Sequence, residues 1–227
     1  MQTCQGLAQI TKHILAAHHQ RRHENPIDYI YRSLGCKILP ASEKSDPDLI
    51  LAKKYFMNSC TPAQAKSAQF FRVETGVGET FFGSKFKPGR DMNRKLLWKP
   101  TSQQQLAQEL HQGFGSEVCP LRSVFSHAAG DGSGYAWLVE AALGKANASG
   151  MRFSATGMVS GYRSHIDEGN YLPDPNSTIR FKDGLRVPIG KVTKVYSWMP
   201  EPEVTTVYDG KCQLLPRYLV KYSDYCG

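Results

Sequence analysis

Catalysis requires nucleophiles, paired carboxylates, histidines or metal ligands at workable spacing. The six cysteines (Cys4, Cys36, Cys60, Cys119, Cys212 and Cys226) are scattered, with no CxxC pair and no histidine at ligand spacing. That pattern argues against a zinc ribbon and a disulfide framework and suits a reducing compartment. No metal is expected. His111 and His127 have no pairing at useful spacing and read as surface or helix-end residues. Asp174 and Asp209, beside Pro175 and Gly210, read as turn residues. Glu140 lies inside an apolar run and reads as a paired structural carboxylate. The glycine-rich HAAGDGSG of residues 127–134 does not suit a dinucleotide fingerprint, because a strand follows it where a helix is needed. One hinge remains. In NRKLLWKPTSQQQLAQELHQGFG, residues 93–115, a strand hands over to a helix through Lys99, Pro100, Thr101 and Ser102. Helix starts of this kind hold ligands.

The elements around the hinge are well signalled. Leu96, Leu97 and Trp98 form an apolar run too short for a helix, so a buried strand is expected. Thr101 or Ser102 is a good N-cap, Leu106 and Leu110 share one helical face, and Gly113 offers the left-handed residue that ends helices.

Upstream, residues 3–22 read as a helix with Leu7, Ile10 and Ile14 on one face, and residues 27–39 as a turn and strand. A further helix opens with Asp46 as N-cap and Pro47 in the first position. It runs through residues 49–60, with Ile50, Lys54 and Met57 on one stripe and Leu49, Ala52 and Phe56 on another, and Thr61–Pro62 ends it. From Gln69 the pattern turns to strands. Residues 118–125 read as irregular, residues 135–143 as a central strand closed by Gly144, and residues 149–169 as a long polar loop. Residues 171–178 form a turn segment, and short strands fall at 185–189, 192–196, 204–208 and 218–222. A few helices followed by many short strands means α+β.

At 227 residues the chain suits one large domain, or one domain with a small extension. Its 41% hydrophobic and 21% charged residues are those of a globular protein. No apolar run approaches the roughly 18 residues that cross a bilayer, and the N-terminus lacks the pattern of a signal peptide. No membrane role is expected. The formal charge of +8 gathers in HHQRRH at residues 18–23 and KFKPGRDMNRK at residues 85–95. It reads either as a solvated basic face or as a surface for nucleic acid or another polyanion.

Five blocks, in order, resemble the catalytic region of the poly(ADP-ribose) polymerase family, and the chain reads as a divergent member. KLLWKPTSQQQLAQELHQGF resembles that family's LLWHGS…ILSQGL segment without a gap. NPIDYIYRSLGCKILPASEKSDPDLILAKKYFMNSCT resembles the connector between its regulatory helical domain and its catalytic domain. GYAWLVEAALGKA is similar to the GLILLGEVALGNM strand, LPDPNSTIRFKDGLRVPIGK to the TPDP…DGVDVPLG turn, and VYDGKCQLLPRYLVKY to the closing VYD…YLLK pair. The resemblance spans roughly residues 24–223. It makes residues 1–23 a remnant of the last regulatory helix and residues 24–227 a catalytic-like domain.

The resemblance implies an ADP-ribosyltransferase-like split antiparallel β-sheet with a short N-terminal helical segment, which binds NAD and transfers ADP-ribose as nicotinamide leaves. The carboxamide must then be gripped, the ribose oriented and the developing positive sugar stabilised by a carboxylate. The family uses a His–Gly pair, a Tyr and Ser segment, and a Glu before VYD. Here Lys99 and Pro100 stand for His–Gly, and proline has no N–H to hold a carboxamide oxygen. Thr101 is the conservative match in that turn. Val124 stands for the stacking Tyr, and Val204 for the Glu, with Glu203 one residue away and so on the opposite face of a strand.

Three readings follow. The first is a catalytically weak or inactive fold kept as a binding or scaffold module, with NAD binding doubtful. The second is an active NAD-dependent protein ADP-ribosyltransferase rebuilt around Glu203 and Lys99. The third is a basic nucleic-acid-associated module. A protein, nucleic-acid or poly(ADP-ribose) partner would meet the basic surface, and the family implies nuclear residence.

Overall fold

The computed structural model describes residues 34, 36–44, 46–75, 93–115, 117–125, 133–149, 160–180, 185–195 and 203–223. The N-terminal helix expected over residues 3–22 and the basic loop at 85–91 lie outside them, as does most of the glycine loop at 127–134.

The fold is α+β, built on a large, mostly antiparallel sheet. Its strands are β1 (Cys36–Pro40), β2 (Gln69–Thr75), β3 (Arg94–Thr101), β4 (Cys119–Arg122), β5 (Ser133–Ala142), β6 (Ala146–Ser149), β7 (Ser164–Asp167), β9 (Thr178–Arg180), β10 (Arg186–Pro188), β12 (Val204–Val207) and β13 (Leu214–Ser223). The main path runs β1-β2-β13-β5-β3-β4-β12-β7-β6, with β10 beside β3 and β9 beside β10. Among the described residues, only β3–β10 and β6–β7 pair parallel. A separate ribbon joins β8 (Tyr171–Pro173) to β11 (Val192–Lys194).

The centre of the sheet is buried on both faces, so its strands read as unbroken apolar runs. Alternation divides those runs between two cores. Leu96 and Trp98 of β3, with Ala136 and Leu138 of β5, face α1 (Asp48–Met57). Leu97 of β3, with Trp137, Val139 and Ala141 of β5, faces α3 (Gln103–Gln112), whose Leu106 and Leu110 pack against them. In α1 the buried stripe is Leu49, Ala52 and Phe56 together with Tyr55, and Ile50 and Met57 stay exposed. Phe56 lies edge-on to Phe125 at 4.5 Å and to Trp98 at 6.0 Å. Burying one such ring contributes about 1.5–3 kcal/mol.

Several expectations need correction. Asp46 does not cap α1; its carboxylate accepts from Tyr218 Oη at 2.7 Å and pairs with Arg72 at 3.0 Å. Thr61–Pro62 starts a second helix, α2 (Pro62–Ser67), through a capping box with Gln64. Residues 118–125 are not irregular throughout, because β4 lies within them. The polar stretch 149–169 contains β7, which β12 pairs on its other edge. The closing strand begins earlier than the expected residue 218: α4 (Gly210–Gln213) is capped by Asp209, and β13 begins at Leu214. Asp174 is a turn residue, accepting from Asn176 N at 3.0 Å and from Ser177 Oγ at 3.0 Å.

Candidate active site

The hinge has the form its sequence predicts. Strand β3 ends at Thr101, Ser102 caps α3 in a capping box with Gln105, and Gly113 ends the helix at φ 74°. Gly113 N donates to Glu109 O at 2.9 Å. Beyond the hinge, Gly210 tolerates no larger residue, since a Cβ there would stand 2.8 Å from the Gly115 carbonyl.

One edge of β3 is continuously paired, residue for residue, with β5 from Arg94 to Thr101. The other edge is shared and then abandoned. β10 meets it at Lys95 and β4 at Trp98, and no register partner on that side follows for Lys99, Pro100 or Thr101 among the described residues. A proline fits within a strand only where its missing N–H would face away from the ladder. Pro100 therefore turns its nitrogen toward the open edge, past the point where β3 and β4 pair at Trp98.

Lys99 does not reach into that opening. By alternation it shares the Leu97 face, beneath α3, where its ammonium donates to Glu109 Oε1. The same carboxylate accepts from Thr101 Oγ1 at 2.8 Å and from Trp137 Nε1 at 2.5 Å. The Lys99 ammonium also lies 5.5 Å from the Phe114 ring centre and 3.5 Å from the Pro100 carbonyl. The side chains of Lys99 and Glu109 are 13% and 12% exposed, so the pair is held largely out of water. Cys119 sits in the same region. Burial pushes its thiol up to about 11, the Lys99 charge pulls it down, and the Glu109 charge adds to the rise.

The other predicted site residues are elsewhere. Glu203 accepts from Lys95 Nζ at 2.9 Å. Lys95 is four residues along β3 from Lys99, about 13 Å at strand rise. Lys99 and Glu203 are thus tied to different partners. Val204 heads β12, between Arg122 of β4 and Asp167 of β7. Val124 is fully buried, between Ser123, whose carbonyl accepts from Tyr55 Oη at 2.7 Å, and Phe125, which stacks edge-on against Trp98 at 4.9 Å. Tyr55 is raised well above the ordinary tyrosine range, by burial first and then by the Glu203 charge.

Two hollows flank these groups. One, of about 120 Å³, lies against Glu109, Phe114, Trp137, Cys36 and Leu214. The other, of about 360 Å³, lies on the opposite face against Asp46, Asp48, Arg72, Glu74 and Arg217. Neither is lined by Pro100, Thr101, Val124 or Glu203. The first is well below the roughly 300–1,000 Å³ of small-molecule sites. Among the described residues there is no group of three or more His, Cys, Asp or Glu able to hold a metal. No helix there is long and apolar enough to cross a membrane.

Sequence reasoning missed Glu109 and Trp137. Their signal was present: Glu109 lies between Leu106 and Leu110, on a helix that must face the strand carrying Lys99. It also missed Gln213, which is 2% exposed and fastens the turn after β12. Its Nε2 donates to the Ala142 and Arg163 carbonyls, and its Oε1 accepts from Tyr208 N and Asp209 N. No family model matches the chain, and no curated protein matches it.

Proposed function

We propose that this chain is a divergent, poly(ADP-ribose) polymerase-like domain with an ADP-ribosyltransferase-like split sheet, kept as a binding or scaffold module with little or no NAD chemistry. The observation that carries this reading is the knot at the hinge. Lys99, in the place of the family's histidine, is bound to Glu109 together with Thr101 and Trp137. Pro100 beside it offers no N–H to a carboxamide. The missing hydrogen bond alone weakens binding by about 1–3 kcal/mol, roughly five- to 150-fold. Glu203, the carboxylate closest in sequence to the family's glutamate position, is paired with Lys95. A nuclear setting and a protein or polyanion partner belong to the same reading.

Purified chain incubated with labelled NAD is expected to show neither automodification nor nicotinamide release, and calorimetry to show weak NAD binding or none. Robust labelling abolished by Glu203→Ala would overturn the reading in favour of a rebuilt transferase.

A further inference from the structure

Three cations stand in one row across adjacent strands. Arg180 of β9 is the register partner of Arg186 of β10, which is in turn the register partner of Lys95 of β3. Their chain neighbours Ile179, Val187 and Leu96 all pack into the core under α1. By alternation the three basic side chains therefore share the opposite face. Strands lie about 4.8 Å apart, so the row is about 10 Å long.

Like charges directly across a ladder are destabilising, and the offsetting carboxylate lies at the Lys95 end of the row. Glu203 accepts from Lys95 and acts on Arg186 through space. Arg180 is exposed and has no ion pair among the described residues. The Arg186 guanidinium is pulled below its ordinary range by burial, then by the Arg180 charge, with Glu203 opposing. Arg186 is also aimed: its Nη2 donates to Asn93 Oδ1. Asn93 is held at φ 42°, the one non-glycine residue with positive φ among those described. Its amide donates to the Gly144 carbonyl at 3.3 Å, and its own carbonyl accepts from Leu143 N at 3.2 Å. Asparagine adopts this left-handed conformation readily, so the turn at Asn93 fixes the acceptor that aims the guanidinium.

We propose that Arg180, Arg186 and Lys95 form a phosphate-backbone site for single-stranded nucleic acid. Guanidinium forks match phosphate oxygens. A basic row about 10 Å long can track successive phosphates of one flexible strand. A duplex would present the phosphates of two strands to a single row. Lys85, Lys87 and Arg90 precede β3 in sequence, and the +8 chain adds long-range attraction. The inference rests on the binding-module reading and fails separately from it: NAD turnover would sink that reading, whereas the salt slope tests only this row.

The test is fluorescence anisotropy of a labelled, unstructured oligo(dT) against the full chain over a salt series. Three contacts give a slope of log K on log[salt] of about −2. Arg180→Gln and Arg186→Gln should each flatten it by about 0.7. Lys37→Gln, an equal charge loss on exposed β1 at the far edge of the sheet, should leave it unchanged. Arg180 is exposed, so its variant keeps the test usable if Arg186→Gln unfolds. An unaltered slope in Arg180→Gln overturns the proposal. So does tighter binding to a duplex of the same length, or complete displacement of the oligonucleotide by pyrophosphate at equal concentration.

Discussion

Glu140 and Glu109 each gather three donors from neighbouring elements, and the contrast between them separates a tie within the sheet from a tie between helix and sheet. Glu140 is wholly buried in the middle of β5 and takes Arg94 Nη1 from β3 and Arg217 Nε and Nη2 from β13. All of its donors come from strands of the same sheet. Glu109 comes from a helix and takes Lys99, Thr101 and Trp137 from the strands beneath it. The first knot fastens three adjacent strands. The second closes α3 over the residue on which an NAD site of the resembled family would depend. Similar hydrogen-bond arithmetic ties strand to strand in one place and helix to sheet in the other.

Glu140→Ala should break the comparison at its strongest point. It removes a wholly buried carboxylate that Arg94, 6% exposed, and Arg217 share, and should cost about 3–5 kcal/mol in urea unfolding. A loss below about 1 kcal/mol would put this cluster with ordinary surface pairs.

Glu109→Ala should cost less, about 1–3 kcal/mol, because the long Lys99 side chain can carry its ammonium to solvent and only Thr101 and Trp137 are left without an acceptor. Trp137 emission should shift as its indole N–H loses its acceptor. Glu109→Gln, which keeps acceptors for Thr101 and Trp137, should recover part of the loss. If Glu109→Ala moves neither stability nor emission, the hinge knot does not hold the helix.

The smallest effect sharpens the same region. The thiol of Cys119 is raised in the folded chain from about 9 to about 11. The folded state therefore keeps a proton that the unfolded state releases. Stability should fall as pH rises through that window, by about 1 kcal/mol per pH unit from this group. Cys119→Ala should remove that share of the slope in melts at varied pH. Cys36 and Cys60, both also pushed up to about 11 by burial, should retain theirs.

Much of the hinge was legible in the sequence because its signals are local. The apolar run, the Ser102–Gln105 capping box and Gly113 act within one strand and one helix. The β5 strand was legible for the same reason, from Tyr135 to its stop at Gly144. The paired state of Glu140 followed from its apolar surroundings, though its arginines, 46 and 77 residues distant, did not. Asp46 misled because a capping residue and a buried ion-pair partner look alike until Tyr218 and Arg72 are folded against it. Strand β4 was hidden by Pro120 and by a ladder supplied from β12, more than 80 residues further along the chain. Leu106 and Leu110 mark the face of α3 that meets the sheet, but which donors of β3 and β5 Glu109 would collect there depends on the strand register, which that periodicity does not carry. The place of Glu203 depended on Lys95, which belongs to a different block of sequence.

The single register pair between Trp98 and Arg122 has one more consequence. Five strands of the main path, β1-β2-β13-β5-β3, lie on one side of it, and four, β4-β12-β7-β6, on the other. Ladder hydrogen bonds pass almost nothing across such a seam, so side chains such as Trp98 and Phe125 must carry the coupling. Amide protection is then set plate by plate, with the boundary falling where β3 lets go of β4.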